Sequence, residues 1–298
     1  MKKITVLLLS VLMVCLMAGC GNASGKLSDG NKVLFQVGKN KVTKNDFYKV
    51  MRDYDAGDFI VKQAAKSVVN AEIETTEQIK ADAKKEFDET VAEYEDLKTA
   101  LEKLGYESEE ELMEDVIDSV KSDLLIDKYI EENWDNLVSK YTPLKIRVLT
   151  LTQADNGDDF KATAANALAD LKAGETFDAV ADKYMDEKSD AYKLTKESLY
   201  VTTSSGYDNV VKDYLKTVTT PGLSEVLTNS AGTVAYVVQV TNNNISQLKD
   251  EFTAHLKGLS TISEEMYSFY LKKHNFTLYD IDLYNIIKQN YQSYLVQD

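Results

Sequence analysis

Apolar residues along this chain change their spacing twice, and each change marks a new kind of structure. Val33, Leu34, Phe35 and Val37 are followed by Gly38-Lys39-Asn40-Lys41 and then Val42, a pattern that predicts a short hairpin turning at Gly38 to Lys41. Thr43 stands where its hydroxyl can cap a helix beginning at Lys44. Farther on, Ala83, Phe87, Val91, Tyr94, Leu97, Leu101 and Leu104 recur every three or four residues. That spacing puts them on one stripe of a long helix, which Gly105 ends. Ser108-Glu109-Glu110-Glu111 is a capping box. It opens a second helix with Leu112, Val116, Val120 and Leu124 on one face and Ile126, Ile130 and Trp134 beyond. Two amphipathic helices joined by a short turn make a helical hairpin.

A different rhythm holds from Leu144 to Thr241. Residues 146–151 read as a strand, and 158–172 as a helix with Phe160, Ala164, Leu168 and Leu171 inward and Gly174 as its stop. A second helix carries Phe177, Val180, Ala181 and Tyr184, and a third spans 210–218. Residues 223–227 and 233–240 read as strands on either side of Asn229-Ser230-Ala231-Gly232. The order β-α-α-β-α-β-β over roughly a hundred residues describes a compact α+β domain. Residues 245–295 return to helix and are rich in tyrosine. Neither set of helices closes a core alone, so the two are expected to pack as one lobe. The fold class is thus α+β, predominantly α. Its expected divisions are 1–19, 20–31, 32–142, 143–242 and 243–298.

The first nineteen residues fit neither rhythm. Met1-Lys2-Lys3 is a positive start, and residues 4–16 form an apolar run of signal-peptide length, shorter than the ~20 residues a spanning helix needs. Leu16-Met17-Ala18-Gly19-Cys20 resembles the lipobox of bacterial lipoproteins, with Met17 departing from the usual leucine. In that box the cysteine is acylated and becomes the first mature residue. Cys20 is therefore the expected lipidation site, residues 1–19 the signal peptide and 20–31 a polar tether. Cys15 would leave with the signal. The mature body then has no thiol for a disulfide, a nucleophile or a Cys-ligated zinc, and no metal or cofactor is expected. With 44% hydrophobic residues, burial alone can hold the fold.

Net charge is −15, and residues 71–140 carry 23 Asp and Glu against eight Lys, which is the whole excess. Such a surface argues against nucleic acid as a partner. It also argues against lying flat on anionic lipid. Solvated helix faces account for these acids.

Several phrases of the middle region resemble a parvulin-type prolyl isomerase domain. Ala169-Asp170-Leu171-Lys172-Ala173-Gly174-Glu175-Thr176-Phe177, running on to Tyr184, is one. Pro221-Gly222-Leu223-Ser224 and the closing strand Ala235-Tyr236-Val237-Val238-Gln239-Val240 are others. Val42-Thr43-Lys44-Asn45-Asp46-Phe47 and Leu104-Gly105-Tyr106-Glu107-Ser108 resemble the flanks of the PrsA/SurA group of extracytoplasmic foldases. With a lipobox, this layout resembles the PrsA foldase lipoproteins of Gram-positive bacteria. The resemblance implies a helical chaperone lobe with an inserted parvulin-like domain. It further implies a lipid anchor on the outer face of the cell membrane and unfolded or newly exported polypeptides as partners. Self-association as a homodimer stays open.

The same comparison removes the catalytic groups. Val148 and Tyr236 stand where the family places its two histidines, and its acidic or cysteine position falls near Glu187. No catalytic residue is therefore assigned, and little or no isomerase activity is expected. The two histidines, His255 and His274, read as exposed helix residues. Tyr184, Tyr207, Tyr214 and Tyr236 are the expected client contacts, since tyrosines offer large area and a polar tip. Three alternatives remain: an active prolyl isomerase with a rearranged site, a lipid-anchored adaptor, and a solute-binding lipoprotein. The last needs strand–helix alternations over two lobes that this sequence lacks.

Overall fold

The computed structural model describes residues 27–297, so the expected signal peptide 1–19 and Cys20 lie outside the described residues. Strands β1 (Val33–Val37) and β2 (Asn40–Thr43) pair antiparallel around Gly38 and Lys39. Residues 27–31, read from composition as tether, are folded instead. The Gly30 amide donates to the Leu27 carbonyl, Lys32 to Asp29, and Asn45 to Gly30. Their polar side chains and Gly30 serve a turn that satisfies backbone groups at a helix start. That helix, α1 (Lys44–Glu72), opens on a reciprocal cap in which Thr43 Oγ1 accepts from the Asp46 amide and the Asp46 carboxylate accepts from the Thr43 amide at 2.8 Å.

The long apolar stripe falls on two helices rather than one, α2 (Glu77–Ala92) and α3 (Leu97–Leu104). Asp96 breaks it by accepting from the Thr99 amide at 2.8 Å, a cap that wins over continuous spacing. Gly105 ends α3 at φ 85°, a backbone state that costs glycine nothing. In α4 (Glu109–Glu132) Ser108 accepts from the Glu111 amide at 3.1 Å. Leu125 is fully buried there, while Leu124, expected inward, is 40% exposed. Ile79 and Ala83 of α2 meet Val120 of α4 in a small core.

Contacts divide the chain into two units, one running to Lys128 and resuming at Leu259, the other Tyr129–Gly258. The second unit contains α5 (Trp134–Tyr141), β3 (Leu144–Thr152), α6 (Phe160–Lys172), α7 (Phe177–Tyr184) and β4 (Ser198–Tyr200). It continues through α8 (Asn209–Leu215), β5 (Gly222–Leu223), β6 (Leu227–Thr228), β7 (Val234–Asn242) and α9 (Ile245–Lys257). The antiparallel sheet has the order β4-β3-β7-β5, with β6 also on β7. Central strands β3 and β7 are apolar toward both sides because both are covered. Leu149, Leu151 and Val237 meet Phe160 of α6 and Phe177 of α7, while Ile146, Val148 and Val238 face the opposite way. Ser224 pins the Pro221-Gly222 turn: its amide donates to the Val238 carbonyl at 2.8 Å and its Oγ accepts from the Val238 amide at 2.9 Å.

The expected borders at 142/143 and 242/243 differ from this division by a helix at each end. The reason is aromatic packing inside the second unit. Phe252 of α9 meets Trp134 and Tyr141 of α5 edge-on, with ring centroids 5.6 and 6.2 Å apart. Lys145 of β3 pairs with Glu251 of α9 at 2.7 Å.

The first unit is completed by α10 (Ser260–Lys273) and α11 (Ile281–Asn290). Gly57 lies inside α1, where glycine costs about 1 kcal/mol relative to alanine. A Cβ there would sit 2.8 Å from the Tyr291 ring and 2.9 Å from Ile286, so close approach dictates the residue. Arg52 pairs with Asp282 at 2.5 Å. At the far end of α1, Glu72 has a side chain only 6% exposed and accepts from Lys128 at 2.6 Å, Lys273 at 2.8 Å and His274 at 2.7 Å. Burial pushes this carboxyl up, but those hydrogen bonds outweigh it and hold the pKa at about 2 against an ordinary 4.5.

A lowered folded-state pKa fixes the sign of the acid response. Stabilisation by Glu72 is complete above the unfolded value of 4.5 and is lost as pH falls toward about 2. Glu72→Gln is expected to lower unfolding stability at neutral pH by about 1–3 kcal/mol. It should also flatten the pH dependence within that window. Chemical denaturation of parent and variant at a series of pH values checks this, and identical acid profiles would refute it.

Candidate functional site

Strand register determines what the sheet of the second unit presents to α8. Side chains alternate along a strand, so Ile146, Val148 and Thr150 of β3 point one way. Val148 lies opposite Val238, and Thr150 opposite Tyr236. Over this face α8 lays Val211 and Leu215, both buried. The helix is set by Asp208, whose carboxylate accepts from the Val210 amide at 3.0 Å. Val148 is 1% exposed beneath it.

Phenols form the margin of this core. Tyr207, Tyr214 and Tyr236 are half-buried against it, and Tyr200 meets Tyr207 edge-on at 5.5 Å. Burial pushes the Tyr236 hydroxyl above its ordinary pKa, and the adjacent Asp208 carboxylate adds to that. Burial likewise raises Tyr200. The Tyr200 Oη and Thr150 Oγ1 atoms are buried with no hydrogen-bond partner among the described residues. Such a margin can bind apolar side chains and donate single hydrogen bonds. Charged neighbours of these phenols are Asp208 at Tyr236 and Asp213 and Lys216 at Tyr200.

The four tyrosines singled out in the sequence do not form one surface. Tyr207, Tyr214 and Tyr236 share the α8 side of the sheet. Tyr184 packs on the other side, against the Leu149–Leu151 layer, and donates to Asp170 at 2.7 Å. Glu187 is exposed in the turn after α7. His274 joins Glu72 in the first unit, whereas His255 belongs to α9 in the second. His255 departs from the exposed position expected for it: its Nε2 is buried without a partner, beside the inward stripe Leu248, Phe252 and Leu256. Among the described residues no group of three or more His, Cys, Asp or Glu could hold a metal ion. Among the same residues no helix is long and apolar enough to cross a membrane.

A concave surface lies within the first unit. Phe59, Ile60, Ala64 and Val68 of α1, with Leu271 and Phe276, line an apolar groove of about 470 Å³. Phe59 remains 62% exposed at its edge. Sequence reasoning passed over this groove, although Ile60, Ala64 and Val68 recur at four-residue intervals along one helix face.

No family model matches the sequence, and no curated protein matches it. Solved structures do. A peptidylprolyl isomerase (PrsA) from Bacillus cereus matches with a TM-score of 0.52 at 16% identity, covering 87% of this chain and 98% of that one. The foldase protein PrsA from Streptococcus pneumoniae has a TM-score of 0.38 at 18% identity, over 86% of this chain and 98% of that one. PrsA from Bacillus subtilis has 0.36 at 17%, over 87% and 99%. The first of these superpositions carries the conclusion, which concerns fold: this chain has a PrsA-like foldase fold, predominantly helical with a smaller mixed β-α insert.

If the face under α8 is solid core, a larger polar side chain there is costly. Val148→His is expected to lower the stability of the second unit by about 1–3 kcal/mol, from overpacking and from burying an imidazole. Denaturant unfolding followed by the near-ultraviolet signal of Trp134 and the surrounding tyrosines reads this. A variant as stable as the parent would mean that the face is open enough to admit the ring.

Proposed function

We propose that the chain is a lipid-anchored extracytoplasmic chaperone of the foldase type, which holds unfolded exported polypeptides and performs little or no prolyl isomerisation. One observation carries the second half of this reading. In a fold shared with a peptidylprolyl isomerase over 98% of that chain, Val148 is 1% exposed and sealed beneath α8. Rotation about the Xaa–Pro bond faces a barrier of ~18–20 kcal/mol. Lowering it requires preorganised donors aimed at the twisting imide. A valine supplies none, and Tyr236 supplies one hydroxyl beside a carboxylate.

Binding asks for less. The tyrosine margin around α8 and the groove at Phe59 and Phe276 both offer apolar area with few polar demands, which suits segments of varied sequence. Acylation of Cys20 would hold these surfaces at the outer leaflet, where exported chains emerge unfolded.

Two parallel assays test the reading. Relaxation of a short Xaa-Pro peptide should keep its uncatalysed time of tens of seconds. Aggregation of a denatured protein should be suppressed, and Phe59→Ser should weaken that suppression several-fold. Robust turnover abolished by Tyr236→Phe would establish the rival, a working isomerase. Absence of both activities would leave the adaptor.

A further inference from the structure

One end of this acidic chain is basic, and it is the end that follows Cys20. Residues 27–52 contain Lys32, Lys39, Lys41, Lys44, Lys49 and Arg52 against Asp29 and Asp46, in a chain of net charge −15. Lys44 pairs with Asp29, and Arg52 with Asp53 and Asp282. Lys32, Lys39, Lys41 and Lys49 are exposed. Acidic residues resume at Asp53, Asp55 and Asp58.

The same segment exposes apolar side chains that the fold does not cover. Val33, Leu34, Phe35 and Val37 of the hairpin are 40, 47, 58 and 72% exposed. On α1, Phe47, Val50, Met51 and Tyr54 are 55, 66, 56 and 91% exposed. Their spacing of three, one and three puts them on one helix stripe. Large apolar side chains left exposed in such number on one short segment mark an interaction surface. Apolar side chains framed by lysines are the composition of elements that lie in a bilayer interface, where attraction to anionic headgroups adds to burial.

Distance favours that occupant over others. Leu27 lies seven residue steps beyond Cys20, and a fully extended chain of that length spans at most about 25 Å. An acyl group on Cys20 would therefore keep the hairpin close to the headgroups. We infer that the β1–β2 hairpin and the opening turns of α1 seat directly on an anionic lipid surface, with Val37, Lys39 and Lys41 at the leading tip. This rests on the lipid-anchor reading for its tether length alone. The charge of the acidic stretch 71–140 disfavours contact with anionic lipid, and the basic end is the exception to it.

A chain beginning at residue 21 retains every described residue and lacks both leader and acylated cysteine, so it isolates the surface from the anchor. It is expected to co-sediment with vesicles containing phosphatidylglycerol and not with pure phosphatidylcholine, and to dissociate as salt is raised. Replacing Lys39, Lys41 and Lys49 together by Glu should weaken binding on the order of a hundredfold, at about fivefold per lysine. Phe35→Ser with Val37→Ser should weaken it too, with thermal unfolding unchanged in both variants. Equal binding to neutral vesicles, or no response to either variant, would overturn the inference. So would a dimer in lipid-free solution that Phe35→Ser with Val37→Ser dissociates, since the patch would then belong to a second copy. Fatty-acid labelling of the full chain scores the anchor separately. A chain that labels at Cys20 while its residue-21 form ignores the vesicles overturns this inference alone.

Discussion

The buried carboxylate of Glu72 joins segments that are two hundred residues apart in sequence. Lys128 ends the first stretch of the helical unit, and Lys273 and His274 close α10 after the chain has returned from the second unit. A carboxylate with 6% exposure is tolerable only when its lone pairs are occupied, and here three nitrogens occupy them. Toward the middle of α1, Arg52 and Gly57 fix α11 and the residue after it. Helix α1 is therefore held at its C-terminal end and near its middle by C-terminal residues of the chain. Both exposed surfaces of the helical unit, the Phe59 groove and the basic amphipathic end, are built on that one helix.

Inside the second unit a different constraint operates. Strands β3 and β7 are covered on both sides, and their buried residues divide between two cores. Val148 and Val238 lie opposite each other in the core that Val211 and Leu215 of α8 share, and both are buried. What remains accessible is the margin of phenols.

Much of this was legible before any coordinates, and the misses have physical causes. Local signals read correctly because they are self-contained: the Thr43 cap, the Gly105 stop and the hairpin at Gly38 depend only on near neighbours. Spacing misled where two local signals competed, as at Asp96, whose capping carboxylate interrupts an unbroken apolar stripe. It also misled by one residue at Leu124 and Leu125, where tertiary packing chooses the face. Unit borders were misplaced because Phe252, Trp134 and Tyr141 meet across more than a hundred residues. The separation of Tyr184 from Tyr207, Tyr214 and Tyr236 follows from α7 and α8 covering opposite faces of the sheet, which periodicity alone does not supply. A total charge of −15 concealed a basic end only twenty-six residues long, because a sum discards position.

The account stands on the claim that the sheet face under α8 is closed. Methyl-labelled spectra of the chain titrated with a short Xaa-Pro peptide address it most directly, through Val148, Val211 and Val238. The account predicts that these three methyl groups keep their shifts up to millimolar peptide. Saturable shifts at Val148 and Val238 would show a peptide reaching the interior of that face, and would contradict it.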